Sequence, residues 1–333
     1  MVSSEKTGVG ILGLGKSLPE KVLTNSDLEK MVDTSDEWIV KRTGIQKRRL
    51  LEKNQPLYEL GVDAANKAMA DAGITAEEID LVIVTTETPD YLAPSMACII
   101  QGKIGAKNAA AFDLNAACSG FMYALTVAKQ FIDTGFYKHI LIVACEGLSR
   151  VVDWKDRATC VLFGDGAGAA VVGPVEQGYG IQAIEMGADG TMGHNITIPC
   201  LYMNEEDAAK REHENKNVIW MDGSEVFKFA VRTMAYASEK VIADSNLTLD
   251  DIKLIIPHQA NSRIIEGAAK RLGVPESKVY INVQEYGNIS SACIPIALNE
   301  AVEKGLVSKG DNIVLVGFGG GLTWASSMIR WSK

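Results

Sequence analysis

A cysteine, a histidine and an asparagine each follow an apolar run at a point where the chain turns. Cys118 lies near the end of Ala111-Phe-Asp-Leu-Asn-Ala-Ala-Cys118-Ser-Gly120, where a strand-like run stops and a helix-like run begins. A thiol in the first turn of a helix meets the positive end of the helix dipole and unpaired N–H groups. Both favour the nucleophilic thiolate. Phe121–Phe131 keep an apolar stripe at helical spacing, and Ala116, Ala117, Ser119 and Gly120 are small enough to let a substrate reach the sulfur. Taken alone, such a cysteine reads more simply as a buried structural residue, so its partners decide. Leu254-Ile-Ile-Pro-His258-Gln-Ala-Asn261 leaves a buried strand and turns at once into a helix, and Val283-Gln-Glu-Tyr-Gly287-Asn288-Ile-Ser-Ser does the same one strand later. Of the four histidines, His258 alone sits on such a strand end; His139 is at a turn, His194 in a polar loop and His213 inside a charged run. Singly, His258 reads as a core histidine and Asn288 as a turn residue beside Gly287.

What must bring the three together is a repeat. Gly73-Ile-Thr-Ala-Glu-Glu-Ile-Asp-Leu-Val-Ile83 matches Asn246-Leu-Thr-Leu-Asp-Asp-Ile-Lys-Leu-Ile-Ile256 at an offset of 173 residues. The same offset carries His139–Gly147 onto Asn312–Gly320, and Lys67–Asp71 onto Lys240–Asp244. It also places Cys118 on Ser291 and Thr85 on His258. Two related halves, 1–173 and 174–333, are therefore expected to pack as one unit, with strand ends and helix starts converging on a pseudo-symmetric centre. Strand ends and helix starts are where α/β proteins place their chemistry.

Strands are expected at Leu81–Thr85, Ala110–Leu114 and His139–Ala144, and again at Leu254–Pro257, Val279–Val283 and Asn312–Val316. Gly8–Leu14 and Gly164–Gly173 add further strands. Apolar on both faces and alternating with helices, these runs indicate sheets covered on both sides. Gly164-Asp-Gly-Ala-Gly168 lacks the Gly-Lys-Ser/Thr ending of a phosphate loop, so its glycines are read as permitting close layer packing. The charged run Asn204–Lys216 reads as a solvated surface excursion.

The 333 residues, 47% of them hydrophobic, can bury a large core. A net charge of −9 with no long basic tract argues against a nucleic-acid partner. No apolar run approaches the roughly 18 residues of a membrane span, and the N-terminal segment lacks the pattern of a secretory signal. Six cysteines without a Cys-x-x-Cys pair suit neither a zinc ribbon nor a disulfide framework. A reduced cytoplasmic protein without a metal is expected.

Leu114-Asn-Ala-Ala-Cys118-Ser-Gly, Pro257-His258-Gln-Ala-Asn261, Tyr286-Gly-Asn288 and Phe318-Gly-Gly-Gly-Leu-Thr-Trp324 resemble the β-ketoacyl-acyl-carrier-protein synthase III family of the thiolase-like superfamily. Thr34–Gly44 and Phe163–Gly168 extend the resemblance over essentially the whole chain. It implies an α/β fold of five layers, αβαβα, built from two duplicated halves, in a homodimer. It implies a catalytic set of Cys118, His258 and Asn288. Cys118 is acylated by an acyl-coenzyme A, which leaves. His258 and Asn288 then donate to the thioester oxygen of malonyl-acyl carrier protein as carbon dioxide departs. The resulting carbanion attacks the acyl-Cys118 carbonyl. Backbone N–H groups of Cys118 and Gly320 form the oxyanion hole, and no tightly bound cofactor is needed.

By the same resemblance, Trp38 and Arg157 sandwich the adenine of coenzyme A, with Arg42 on its phosphates and Thr34 in the same segment; stacking and phosphate pairing suit these side chains. Acyl carrier protein is acidic, so an acidic enzyme needs a local basic patch. Gln259, Ala260, Asn261, Ser262, Arg263, Lys270 and Arg271 are expected to supply it, joined by Lys228; an ordinary solvated helix face competes with this reading. Ala93, Met96, Leu162 and Phe163 are assigned to the acyl pocket. Ala93 falls in a loop that can close the partner subunit's pocket, and its small size implies room for longer or branched starters. Asn288 after Gly287 stands against thiolases, hydroxymethylglutaryl synthases and chain-elongating synthases, whose third groups are cysteine, glutamate and histidine. A specialised acceptor in place of malonyl-acyl carrier protein, and a non-catalytic acyl-coenzyme A scaffold, stay open. A papain-like hydrolase shares the order Cys, His, Asn, but its Cys-Gly-Ser-Cys-Trp type sequence is absent.

Overall fold

The structure, a computed structural model, describes residues 7–200, 205–209 and 217–333. Most of the charged run 204–216 lies outside the described residues; Glu205–Ala209 form one short helix.

The first sheet contains β1 (Gly8–Ser17), β2 (Leu81–Thr85), β3 (Ala110–Leu114), β4 (Ile140–Gly147) and β5 (Asp165–Val175), in the order β1-β5-β4-β2-β3. β1 and β4 run antiparallel to β5, while β4–β2 and β2–β3 are parallel. The second sheet contains β6 (Gly180–Ala188), β7 (Leu254–Pro257), β8 (Asn312–Gly319) and β9 (Thr323–Arg330), in the order β7-β8-β9-β6. Its pairings follow the same pattern, parallel for β7–β8 and antiparallel for β8–β9 and β9–β6. The two sheets therefore share one topology, as the repeat requires.

Because successive strand residues point to opposite faces, each sheet serves two helix layers. Val82 and Val84 of β2 pack outward with Leu57, Leu60 and Ile100, on the helices α1 (Leu57–Ala72) and α2 (Met96–Ile104). Ile83 packs inward with Phe121 and Leu125 of α3 (Gly120–Asp133). On the far side, Ile255, Val314 and Val316 meet α4 (Gly223–Asp244) and α5 (Ser262–Leu272) through Phe229, Ile264 and Leu272. Between the sheets, α3 lies with α6 (Cys293–Glu303), which contributes Ile294 and Leu298 to the same core. The layers are thus αβαβα. The first residues of α3 and α6, Gly120 and Cys293, stand 173 positions apart. Phe121 is fully buried in the central layer; truncating such a residue to alanine costs about 3–5 kcal/mol.

Two expectations about the strands change. Val279–Val283 makes a single parallel bridge, Val279 to Ile255, in the place β3 holds in the first half. The amide of Gln259 holds this segment in place of a ladder. Gln259 Nε2 donates to the Tyr280 carbonyl at 3.1 Å, and its Oε1 accepts the N–H groups of Asn282 and Val283 at 2.9 and 3.2 Å. β3, expected to be covered on both faces, is instead the free edge of its sheet, and Phe112 is 36% exposed. The glycines of the Gly164–Gly168 run act as expected. A Cβ at Gly168 would come within 2.8 Å of Pro295 Cγ and 3.0 Å of the Ile296 backbone nitrogen, so the glycine lets α6 lie directly on β5.

Candidate active site

Cys118 sits on a 3-10 turn, Ala117–Ser119, that runs into α3. Ala117 before it has φ +50°, and Ser290, 173 residues later, has φ +43°. These are conformations that cost a non-glycine residue of order 1–3 kcal/mol and persist only where the surroundings enforce them. The duplicated fold enforces the same bend twice, once before Cys118 and once before Ser291. β8 closes the site from behind. A Cβ on Gly319 would lie 2.5 Å from the Cys118 backbone nitrogen and 3.1 Å from the Ala117 Cβ. Gly319→Ala should therefore displace the nucleophile, lowering the rate of thiol alkylation at Cys118 and the melting temperature together.

His258 follows β7 directly, anchored by its N–H to the Val316 carbonyl at 2.8 Å, and is 1% exposed. Its ring meets Phe318 edge-on at 5.3 Å. Neither ring nitrogen has a protein partner. Burial pulls its pKa down to about 3, so the imidazole is neutral and one N–H is free to donate. Asn288 accepts the Ser290 N–H on Oδ1 at 2.8 Å, which fixes its amide orientation; no protein acceptor takes its Nδ2 hydrogens among the described residues. Cys118, His258 and Asn288 line one cavity of about 690 Å³. The structure thus brings a thiol, a neutral imidazole and an amide with free N–H groups onto one void.

The protonation state of Cys118 departs from the expectation. Burial, and next the Glu87 carboxyl, push the thiol well above its usual range, with the nearby Ser290 side chain opposing them more weakly. The helix start is real, but the interior disfavours the charge it would stabilise. Glu87 was not singled out from the sequence. It lines the cavity and accepts the Ser290 hydroxyl at 2.7 Å. Glu146, on β4, lies behind it, taking the Glu87 N–H at 3.0 Å and the Ser291 hydroxyl at 2.8 Å; burial first, and then Glu87, raise its pKa to about 8. A signal existed: Glu87 follows β2 just as His258 and Gln259 follow β7, so the strand end that exposed one exposed the other.

Around the mouth, Trp38, Arg42, Lys228 and Arg263 line the cavity. Arg157 does not. Its guanidinium lies 5.0 Å from the Trp38 ring centroid and donates to the Asp33 carbonyl at 3.0 Å, so it packs on Trp38. Thr34 stays outside the cavity with its hydroxyl buried and unpartnered.

Of the expected docking residues, Gln259 is buried and engaged with backbone, as above, and cannot meet a partner protein. Ala260 is also buried, on the cavity wall. Asn261 caps α5, accepting the Arg263 N–H, and donates to the Arg42 carbonyl. Ser262 starts the helix beneath Gly44. Arg263 is exposed, with its guanidinium 5.9 Å from the Phe227 ring. Lys270 and Arg271 are exposed but away from the mouth; Arg271 borders a separate cleft with Arg232 and Glu239.

Leu162 and Phe163 line the cavity, as expected of the acyl pocket. Met96 does not: it is fully buried in the outer layer, its N–H on Asp113 Oδ2 at 2.8 Å. The sheet separates it from the site. Ala93 lies on the surface beside exposed Tyr91 and Leu92, and so lines nothing within its own chain. Among the described residues, no group of three His, Cys, Asp or Glu side chains is placed to hold a metal, and no helix is long and apolar enough to cross a membrane.

A duplicated αβαβα fold with Cys, His and Asn at its pseudo-symmetric centre is that of a thiolase-like condensing enzyme. Residues 112–190 match the family described as 3-oxoacyl-[acyl-carrier-protein (ACP)] synthase III, and residues 242–331 match its C-terminal counterpart. A β-ketoacyl-[acyl-carrier-protein] synthase III of Caldanaerobacter subterraneus subsp. tengcongensis is 54% identical over 329 residues, covering 99% of each chain. The crystal structure of the 3-oxoacyl-[acyl-carrier-protein] synthase III of Aquifex aeolicus has a TM-score of 0.91 at 45% identity, covering 97% of this chain and 100% of that one. The corresponding structure from Thermus thermophilus has a TM-score of 0.91 at 46% identity, covering 97% and 99%. The chain belongs to the β-ketoacyl-[acyl-carrier-protein] synthase III family, the acyltransferases that carry out the initiating condensation of fatty acid synthesis.

Proposed function

We propose that this chain joins an acyl-coenzyme A starter to malonyl-acyl carrier protein through an acyl-Cys118 intermediate. The observation that carries the reading is the single cavity onto which Cys118, the unpartnered His258 ring and the Asn288 amide all open. Cys118 attacks the starter thioester; the tetrahedral oxyanion is met by backbone N–H groups of Cys118 and Gly320. Coenzyme A departs along the mouth, with Trp38 and Arg42 as its contacts and Arg157 stacking once it swings off Trp38. The malonyl thioester oxygen then sits between His258 and Asn288. A neutral imidazole can do this, because it keeps one N–H with which to donate. As carbon dioxide leaves, the two donors hold the enolate, and its carbon attacks acyl-Cys118. Leu162 and Phe163 provide an apolar, water-poor surface for the acyl chain.

Two surfaces complete the reading. The free edge of β3 and the exposed Tyr91–Ala93 loop supply an unpaired strand and apolar side chains for a second copy of the chain. A homodimer formed there would place Ala93 against the partner's acyl pocket. Arg263 and Lys228 at the mouth provide positive charge for an acidic carrier protein. Arg263→Glu should raise the apparent KM for malonyl-acyl carrier protein about tenfold, the size of a lost charge-assisted contact, and leave acylation of Cys118 unchanged. Equal effects on both steps would assign Arg263 to the fold instead.

The deciding experiment mixes the protein with acetyl-, isobutyryl- or octanoyl-coenzyme A. Intact mass spectrometry should show one added acyl group on Cys118, and malonyl-acyl carrier protein should convert that adduct to a 3-oxoacyl product. A protein that binds acyl-coenzyme A and stays unmodified is a scaffold; one that releases free acid is a hydrolase.

A further inference from the structure

The cavity contains one acidic group to which the condensation assigns no task. Among the described residues, Glu87 is the one carboxyl lining the cavity with Cys118, His258 and Asn288. One side chain lines the cavity with both Glu87 and Cys118. Ser290 Oγ donates to Glu87 Oε2 at 2.7 Å, and Ser290, Glu87 and Cys118 all face the same void. Ser290 is held there by its left-handed backbone and by its N–H on Asn288 Oδ1. The titratable groups around Glu87 and Cys118 are Glu146 from β4, Cys293 at the start of α6 and neutral His258. None of them is a cation.

We propose that Glu87 is the proton carrier for Cys118, working through the Ser290 hydroxyl. This rests on the reading of Cys118 as the acyl acceptor. As sulfur attacks the acyl carbonyl, the thiol proton passes to Ser290 Oγ and the Ser290 proton passes to the Glu87 carboxylate. The S–C bond to the acyl group forms, and the C–S bond to coenzyme A breaks with its electron pair on the departing thiolate. The proton on Glu87 returns by the same path to that thiolate. The sum is a thiol plus a thioester giving a new thioester and free coenzyme A thiol.

Charge explains why one proton must be shared. A thiolate beside an ionised carboxylate puts two negative charges in a buried site, and nothing nearby offsets them. Moving one proton between them leaves a single negative charge at every stage, so the two acids titrate as a pair. Burial raises the pKa of Glu87, against the hydrogen bond from Ser290, which favours its taking up a proton. His258 is the weaker candidate, since burial makes it too poor a base.

The test is the rate of Cys118 acylation by acetyl-coenzyme A, followed by quenched-flow and intact mass spectrometry from weakly acid to alkaline pH. Glu87→Gln preserves the shape and an acceptor for Ser290 but takes no proton. It should slow acylation at neutral pH by on the order of 100-fold, with the rate climbing towards alkaline pH as the thiol ionises unaided. Ser290→Ala should show the same altered profile, and Glu87→Asp should recover part of the rate at wild-type melting temperature. Glu87→Gln acylating at the wild-type rate with the wild-type profile overturns the relay. Faster acylation overturns it too, because Glu87 would then be only a repelling charge. Should the wild-type protein itself take up no acyl group, the reading of Cys118 fails first.

Discussion

Cys118→Ala should take up no acyl group from any acyl-coenzyme A and lose condensation by on the order of 10⁴-fold or more, the scale of losing a nucleophile. Its melting temperature should barely move. The sulfur lies in a cavity wall, not in the packed core, and burial and Glu87 already oppose its charge. The informative part is what survives. His258 and Asn288 are held by Val316 and Ser290, neither through the sulfur. Release of carbon dioxide from malonyl-acyl carrier protein, measured without a starter, should therefore persist in Cys118→Ala. Loss of both half-reactions would mean that the donors depend on Cys118 for their positions.

His258→Ala should give the complementary split. One enolate donor disappears, so decarboxylation should fall by about 10²–10³-fold, or roughly 2.7–4 kcal/mol of barrier, while acylation of Cys118 falls far less. The pH dependence carries a sign of its own. Burial lowers the folded pKa of His258 to about 3, from a usual 6.5. As pH falls between these values the unfolded chain takes the proton first, so this residue's contribution to stability is full above about 6.5 and declines towards 3. Two measurements follow. Wild-type decarboxylation should show no acid limb from His258 near 6.5, and replacing His258 should flatten the acid side of the stability profile, read by chemical denaturation at several pH values. An acid limb at 6.5 that vanishes in the variant would show that the imidazole is solvated and charged in solution, against the neutral donor derived above.

Much of the site was legible because its parts terminate buried strands. Cys118 and His258 each follow a short apolar run, and the 173-residue repeat sets Cys118 against Ser291 and His258 against Thr85, so local pattern and long-range register pointed to the same centre. Asn288 was found from Gly287 and the turn before α6. What the pattern misjudged depends on which side of a sheet a residue occupies. Met96 is close to the site in sequence motif but on the outer layer, and Gln259, one residue past His258, turns inward to hold Tyr280, Asn282 and Val283. Val279–Val283 has a strand's composition, yet Gln259 satisfies its backbone and no ladder forms beyond Ile255. Arg157 and Trp38 were both assigned to the adenine, and in the chain by itself they stack on each other.

The opening expectation about Cys118 divides the two sources of information most sharply. Residue order alone was enough for the duplicated architecture and the strand ends, because apolar periodicity and covalent spacing are properties of the chain; the roles of Cys118, His258 and Asn288 came from the family resemblance of their motifs. Their protonation came from neither. Whether a thiol, a carboxyl or an imidazole carries charge depends on how much water remains and which charges face it, and those are set by side chains far apart in sequence. Packing between two sheets holds His258 neutral, raises both Cys118 and Glu87, and brings the Ser290 hydroxyl onto Glu87.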